Sequence, residues 1–309
     1  MIAKKSFSSI TMTNFSFITL PDGRRLSYLE FGEANGHPVF YFHGAPSSCL
    51  EPLLIGNEVF IEHGLRIIAP NRPGIGQSDF QKNRKFNDWP DDVLSLADHL
   101  KLDKFSLFGN SGGGGYITAC AAMIAERLHS AVVVSGGWQM NLPEAKKNLK
   151  FPFSLFWTVA AKLPFLLPFL LGTMKSSPKE SKEKGLAQAK KMMPAPDYEA
   201  LILYDRAEVL ARALDESLLN KKGVAWDLRL YVKKFDFNLS GITFPISFFH
   251  GEIDKNMPIE LVKKMVIQIP NAKLITYEND AHLSALCNHF NEAAQAILNG
   301  GGDFNGPLP

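Results

Sequence analysis

Cysteine is scarce in this sequence: Cys49, Cys120 and Cys287 are the only three in 309 residues, odd in number, far apart and without a C-x-x-C pair. That spacing argues against a disulfide framework and a thiolate zinc site, and it fits a reducing, cytoplasmic setting in which all three are packing residues. Net charge is equally scant. The 33 Lys and Arg against 31 Asp and Glu leave +2, which supplies no concentrated basic face for nucleic acid. Lys175, Lys179, Lys182, Lys184, Lys190 and Lys191 do cluster, but Glu180 and Glu183 interrupt them, the pattern of a solvated helical face.

Long apolar runs are missing too. The amino terminus has Lys4 and Lys5 before a polar stretch and no cleavage pattern, so it reads as a frayed arm rather than a signal peptide. The most apolar stretch, Phe151 to Leu171, is divided by Pro152, Lys162, Pro164 and Pro168, which predicts short helices rather than a membrane span. No internal repeat is present. What remains is a chain of 46% apolar and 21% charged residues, long enough to bury a large core.

Short apolar runs at Val39–Phe42, Arg66–Ala69, Lys104–Phe108 and Ala131–Val134 have the form of strands covered on both faces. Helical patterns lie between them, notably Asp88–Leu100 with its stripe of Val93, Leu94, Leu96, Ala97 and Leu100, so a mostly parallel α/β sheet is expected. Ahead of these, Asp22-Gly23 between two strand-like runs predicts a hairpin over Phe17–Phe31. After Gly137 the alternation stops, and Trp138 to about Leu230 reads as helix and loop only; strands resume near Ile242. Residues 14–137 with 231–299 are therefore expected to form one core, 138–230 a helical insertion over it, and 1–13 and 300–309 flexible ends.

The most informative stretch is Gly109-Asn110-Ser111-Gly112-Gly113, a G-x-S-x-G pattern between the Lys104–Phe108 strand and an alanine-rich helix from Gly115 to Arg127. A serine there projects from a tight strand-to-helix turn while Gly109 and Gly113 let the two elements approach closely. Such a serine needs a base and an acid. His282 follows the strand Ala272–Glu278 and opens a helix with Leu286, Phe290, Ala293 and Ile297 on one face; Asp254 follows the strand at Pro245–His250. Of the other carboxyls near by, Glu252, Glu278 and Asp280 compete with Asp254, but a separate loop suits the acid's role best.

With these segments the chain resembles the α/β-hydrolase superfamily, in particular its capped, serine-dependent esterase-like members. The likeness runs from about Phe15 to Leu298 and includes Phe42-His43-Gly44-Ala45-Pro46, Asn71-Arg72-Pro73-Gly74-Ile75-Gly76-Gln77-Ser78, and Asp236-Phe237 with Leu239 before Pro245. Two positions depart from the family pattern: Asn71 stands where aspartate is frequent, and Ala281 precedes His282 where glycine is usual. The resemblance implies an α/β-hydrolase fold with a helical cap and a Ser111, His282, Asp254 triad. It further implies an oxyanion hole made by the N–H groups of Ala45 and Gly112, with His43 and Gly44 shaping that loop.

The function expected on this basis is hydrolysis of carboxylic esters of small or medium apolar molecules through an acyl-enzyme, without metal or cofactor. A proline-iminopeptidase-like aminopeptidase is the nearest alternative and would need acidic residues such as Glu199, Asp205 or Glu208 to grip an amine. A ligand-binding protein with little turnover is the other. A serine rather than aspartate at the elbow argues against haloalkane dehalogenase and epoxide hydrolase chemistry. No nucleic-acid partner is expected, and the apolar run at Phe151–Leu171 is a candidate homodimer contact.

Overall fold

A computed structural model describes residues 14–137, 139–143, 145, 149, 153–173, 182–204 and 206–300. The expectations for the arm before residue 14, for the tail beyond residue 300, and for Trp138, Phe151, Lys175, Lys179 and Asp205 lie outside the described residues. Eight strands form one sheet: β1 Ser16–Thr19, β2 Arg25–Gly32, β3 His37–Phe42, β4 Leu65–Pro70, β5 Phe105–Asn110, β6 Leu128–Val134, β7 Ile246–Gly251 and β8 Ala272–Tyr277. Their order is β1-β2-β4-β3-β5-β6-β7-β8. β2 runs antiparallel to β1 and β4, and every later pairing is parallel.

The hairpin appears where Asp22-Gly23 placed it, with Gly23 in the left-handed region at φ 84°. Parallel strands need crossovers, and helices supply them: α1 Asn57–Glu62, α2 Trp89–His99 and α3 Gly113–Met123 precede β6. β3 shows why its run is continuously apolar. Phe40 and Phe42 pack with Phe105 and Trp89 on one face of the sheet, and Val39 and Tyr41 with Phe108 and Phe290 on the other. Burial on both faces removes the need for alternation.

Between β6 and β7 the described residues form helices only: α4 Phe153–Lys162, α5 Leu167–Gly172, α6 Lys182–Met192, α7 Ala195–Ile202, α8 Arg206–Ser217 and α9 Lys221–Tyr231. Pro164 breaks the apolar stretch as expected, and Pro152 lies outside the described residues. Among the described residues no single helix is long and apolar enough to cross a membrane, and the segments Ser154–Lys162 and Pro164–Gly172 bend by 112° at their junction.

The last crossover is α10 Ile259–Val266, followed after β8 by α11 His282–Asn288 and α12 Phe290–Leu298. Where one helix was expected from His282 to Ile297 there are two. His289 interrupts them, its ring stacked 3.4 Å from that of Tyr277 and bonded to Asp280. Leu286, Phe290, Ala293 and Ile297 are nonetheless all buried.

Candidate active site

β5 runs two residues further than its apolar pattern suggested, to Asn110, so that Ser111 is the first residue beyond the strand. Ser111 sits at φ 51°, in the left-handed region that β-carbon-bearing residues avoid. The turn persists because its surroundings over-determine it. The Ser111 N–H bonds to Val134 O on β6 at 2.9 Å, and the Ser111 carbonyl accepts from Gly114 at 3.1 Å and Gly137 at 2.8 Å. Gly113 is the steric key: any β-carbon there would collide with the Phe42 carbonyl. At Gly109 it would come within 2.8 Å of Ile117.

Asp254 and His282 come together as the sequence suggested. His282 Nδ1 donates to Asp254 Oδ2 at 2.7 Å, which leaves Nε2 outside that bond. The other oxygen of Asp254 is fixed by the N–H groups of Asn256 and Met257, at 2.8 and 2.9 Å. His250 spans the same loop by donating to Met257 O at 2.8 Å, and burial holds its ring below the usual histidine pKa although Asp254 opposes this. For His282 the balance is reversed. Burial alone would lower its pKa, but Asp254, aided by Asp197 and Glu51, outweighs burial and raises it. The rival carboxyls face elsewhere: Asp280 bonds Asn288 and His289, and Glu252 accepts from Thr276.

Ser111 and His282 line one cavity of about 540 Å³, a size suited to a small-molecule ligand. Among the described residues no hydrogen bond joins the Ser111 hydroxyl to the His282 ring; such bonds are commonly long before substrate arrives. Gly44, Ala45 and Gly112 line the same space. The Gly44 N–H is already committed to Glu51, whereas no acceptor within the described residues takes the N–H of Ala45 or Gly112. Tyr231 donates to Gly112 O at 2.9 Å and so braces the elbow from α9. His43 is fully buried, its Nδ1 bonded to Gly44 O at 2.8 Å, and burial together with the nearby Arg72 holds it well below the usual histidine pKa.

Four polar residues here were missed by sequence reasoning. Arg72, in the stretch after β4, donates to the carbonyls of His43 and Gly44 at 2.5 and 2.8 Å. Asp227 on α9 accepts from Arg72 at 2.8 Å, from Arg84, and from Tyr116 at 2.5 Å. Asp197 on α7 accepts from the N–H groups of His282, Leu283 and Ser284 at 3.2, 2.8 and 2.9 Å, and so fixes the backbone that carries the His282 ring. Glu51, in a short turn after the His43–Pro46 loop, is 3% exposed and lines the cavity. The carboxyls named for gripping an amine do not: Glu199 and Glu208 are exposed, and neither lines the cavity. The departures from the family pattern are accommodated. Asn71 accepts from Cys49 N at 2.9 Å and donates to Ser27 at 3.1 Å, and Ala281 is buried with its N–H on Ser284 at 2.7 Å.

Comparison with known proteins places this geometry in context. A family model described as alpha/beta hydrolase fold matches residues 37–286. A non-heme chloroperoxidase of Streptomyces lividans is 33% identical over 122 residues, 38% of this chain and 43% of that one, so the match spans less than half of the relative's length. A bifunctional esterase/perhydrolase of Acinetobacter calcoaceticus is 23% identical over 86% of this chain and 92% of its own. Among solved structures, an esterase from Exiguobacterium antarcticum superposes with a TM-score of 0.66 at 18% identity, covering 92% of this chain and 97% of that one.

Proposed function

This chain belongs to the alpha/beta hydrolase fold family, and from that premise we propose that it hydrolyses carboxylic esters through a Ser111 acyl-enzyme. The observation that carries the reading is the meeting in one cavity of a strained elbow serine at φ 51° and a histidine bonded to a buried carboxylate at 2.7 Å.

In the first half-reaction His282 Nε2 takes the Ser111 proton as Oγ attacks the ester carbonyl. The carbonyl oxygen becomes an oxyanion held by the N–H groups of Ala45 and Gly112, each contributing about 2.7 to 4 kcal/mol in the transition state. Imidazolium, stabilised by Asp254, then gives its proton to the departing alkoxide. Water attacks the acyl-serine with His282 again as base, and the carboxylic acid leaves. The helices of 138–230 form the cap in this reading: Phe156 and Trp157 on α4 and Met192 and Met193 at the end of α6 supply an apolar wall.

Replacing Ser111 by Ala removes the nucleophile without filling the turn. Turnover of a 1-naphthyl ester should drop by on the order of 10⁴ to 10⁶, fluorophosphonate labelling should vanish, and circular dichroism should stay unchanged. Full turnover by Ser111→Ala overturns the mechanism.

A further inference from the structure

Glu51 is a buried carboxyl group that no lysine or arginine answers among the described residues. Its Oε1 accepts from Tyr41 OH at 2.8 Å, Gly44 N at 3.0 Å and Asn110 Nδ2 at 3.2 Å, all neutral donors. Oε2 has only a 3.1 Å share of the same Gly44 N–H. No lysine or arginine pairs with Glu51 among the described residues, and a carboxylate buried without countercharge is costly.

Two further polar atoms on residues of the same cavity have no partner among the described residues. Asn110 turns its Nδ2 toward Glu51, so Oδ1 is the end left over; it is buried and without a partner, as is Ser47 Oγ. Both residues are more than nine-tenths buried, at 7% and 5% exposure, and both line the cavity with Glu51 and Ser111. No lysine or arginine lines that cavity among the described residues, whereas Trp157 and Tyr231 do, and aromatic faces attract cations. Asp197, the other carboxyl on the wall, has both oxygens occupied by backbone N–H groups.

We propose that Glu51, with Asn110 Oδ1 and Ser47 Oγ, forms a subsite for a protonated amine on the acyl part of the substrate. The inference rests on the Ser111 hydrolase reading for its chemistry and narrows the substrate class to aminoacyl esters. Position supports the acyl side: a β-carbon built on Gly44 would stand 3.2 Å from Glu51 Oε2 and 3.4 Å from Ser111 Cβ. Glu51 Oε2 and Ser111 Cβ thus both border the one point beside Gly44, so a short amino-bearing acyl group on Ser111 can reach the carboxylate. The geometry also links binding to rate. An unanswered carboxylate beside the oxyanion loop repels the negative charge that develops there, and an ammonium between them cancels this repulsion.

The test compares 1-naphthyl esters of alanine, 2-methylpropanoic acid and succinic acid: cationic, neutral and anionic acyl groups on one leaving group. The intact chain should favour the alanyl over the neutral ester by tenfold or more in kcat/KM, and disfavour the succinyl ester by a similar factor. Glu51→Gln should bring the three within about threefold. Ser111-dependent turnover with no cation preference, or a Glu51→Gln loss equal for all three, overturns this inference and leaves the hydrolase reading standing. Absence of any Ser111-dependent turnover overturns the hydrolase reading instead. The subsite is then tested by calorimetry with n-butylammonium and butan-1-ol: tighter binding of the ammonium, lost in Glu51→Gln, supports it, and equal binding overturns it.

Discussion

At the carboxyl end of the helical segment between β6 and β7, Asp227 is 1% exposed and pairs with two buried arginines; at the amino end, Phe165 and Phe169 are 74% and 79% exposed. One end is thus fastened by charge and close steric fit, the other leaves apolar area unused. The fit on α9 is severe, because a β-carbon on Gly223 would collide with the Gly74 carbonyl. Arg72 ties this end to the core. The guanidinium that holds Asp227 also holds the carbonyls of His43 and Gly44, so one side chain links the insertion to the His43–Pro46 loop. A buried ion pair adds little stability over well-packed apolar residues, yet removing one partner is expensive. Its use here is to fix one arrangement.

The largest effect expected from breaking this contrast is therefore at Asp227. Asp227→Ala leaves Arg72 and Arg84 buried without their anion and should lower stability by about 3 to 5 kcal/mol, seen as a fall in the urea midpoint, with the proposed ester hydrolysis lost even where the fold survives. The pH dependence carries a sign. Burial alone would raise the Asp227 pKa, but Arg72 and Arg84 hold it well below the usual carboxylate range. Its contribution is then full above the unfolded value of about 3.9 and is lost as pH falls below it toward the folded value. Urea midpoints taken at successive pH values below 5 should fall more steeply for the parent than for the variant.

A smaller effect, on rate rather than fold, is expected at Asp197, which reaches the base from α7. Asp197→Asn retains one acceptor oxygen but loses the charge and part of the N–H network. A loss of roughly 1.5 to 3 kcal/mol, as for hydrogen bonds to charged groups, should appear as about a tenfold to hundredfold drop in kcat with KM nearly unchanged. The pH profile separates positioning from mere destabilisation. On the proposed mechanism hydrolysis needs neutral His282, whose raised pKa moves the acid limb up from the usual histidine range. Asp254, Asp197 and Glu51 raise that value against burial, so removing the Asp197 charge should move the acid limb of kcat/KM to lower pH. An unmoved limb would show that Asp197 does not act on the base.

The same contrast separates what the sequence disclosed from what it hid. The parallel sheet was legible because its strands are short, locally apolar segments: β3 ends in the run Val39–Phe42, and β5 carries Phe105, Leu107 and Phe108 just before Gly109. Ser111, Asp254 and His282 were legible because each lies just past a strand end, in an order that a local pattern can carry. Arg72 and Asp227 were not, since they are 155 residues apart and nothing in the amphipathic pattern of α9 distinguishes an aspartate aimed inward from one in solvent. Asp197 was hidden in the same way, 85 residues from His282. Glu51 left a faint trace, lying a few residues after the His43–Pro46 run, but only the burial of its turn makes it a cavity wall. Paired charges that fold together from distant segments have no period to betray them.

The smallest effect should come from the exposed end. Phe165 and Phe169 lie on the short Pro164–Leu166 turn and α5, with their rings outside the core formed by Leu167, Leu171 and Ala225. Surface substitutions clear of packing and hydrogen bonds usually change stability by no more than about 0.5 kcal/mol, so Phe165→Ser with Phe169→Ser should leave the urea midpoint nearly where it was. Sedimentation of the same double variant tests the homodimer contact expected of this apolar run. A lower sedimentation coefficient than the parent's supports pairing through the run, and an equal one removes it. A large stability loss here would mean that the bent helices lean on the sheet as heavily as α9 does, and the asymmetry between the two ends would have to be abandoned.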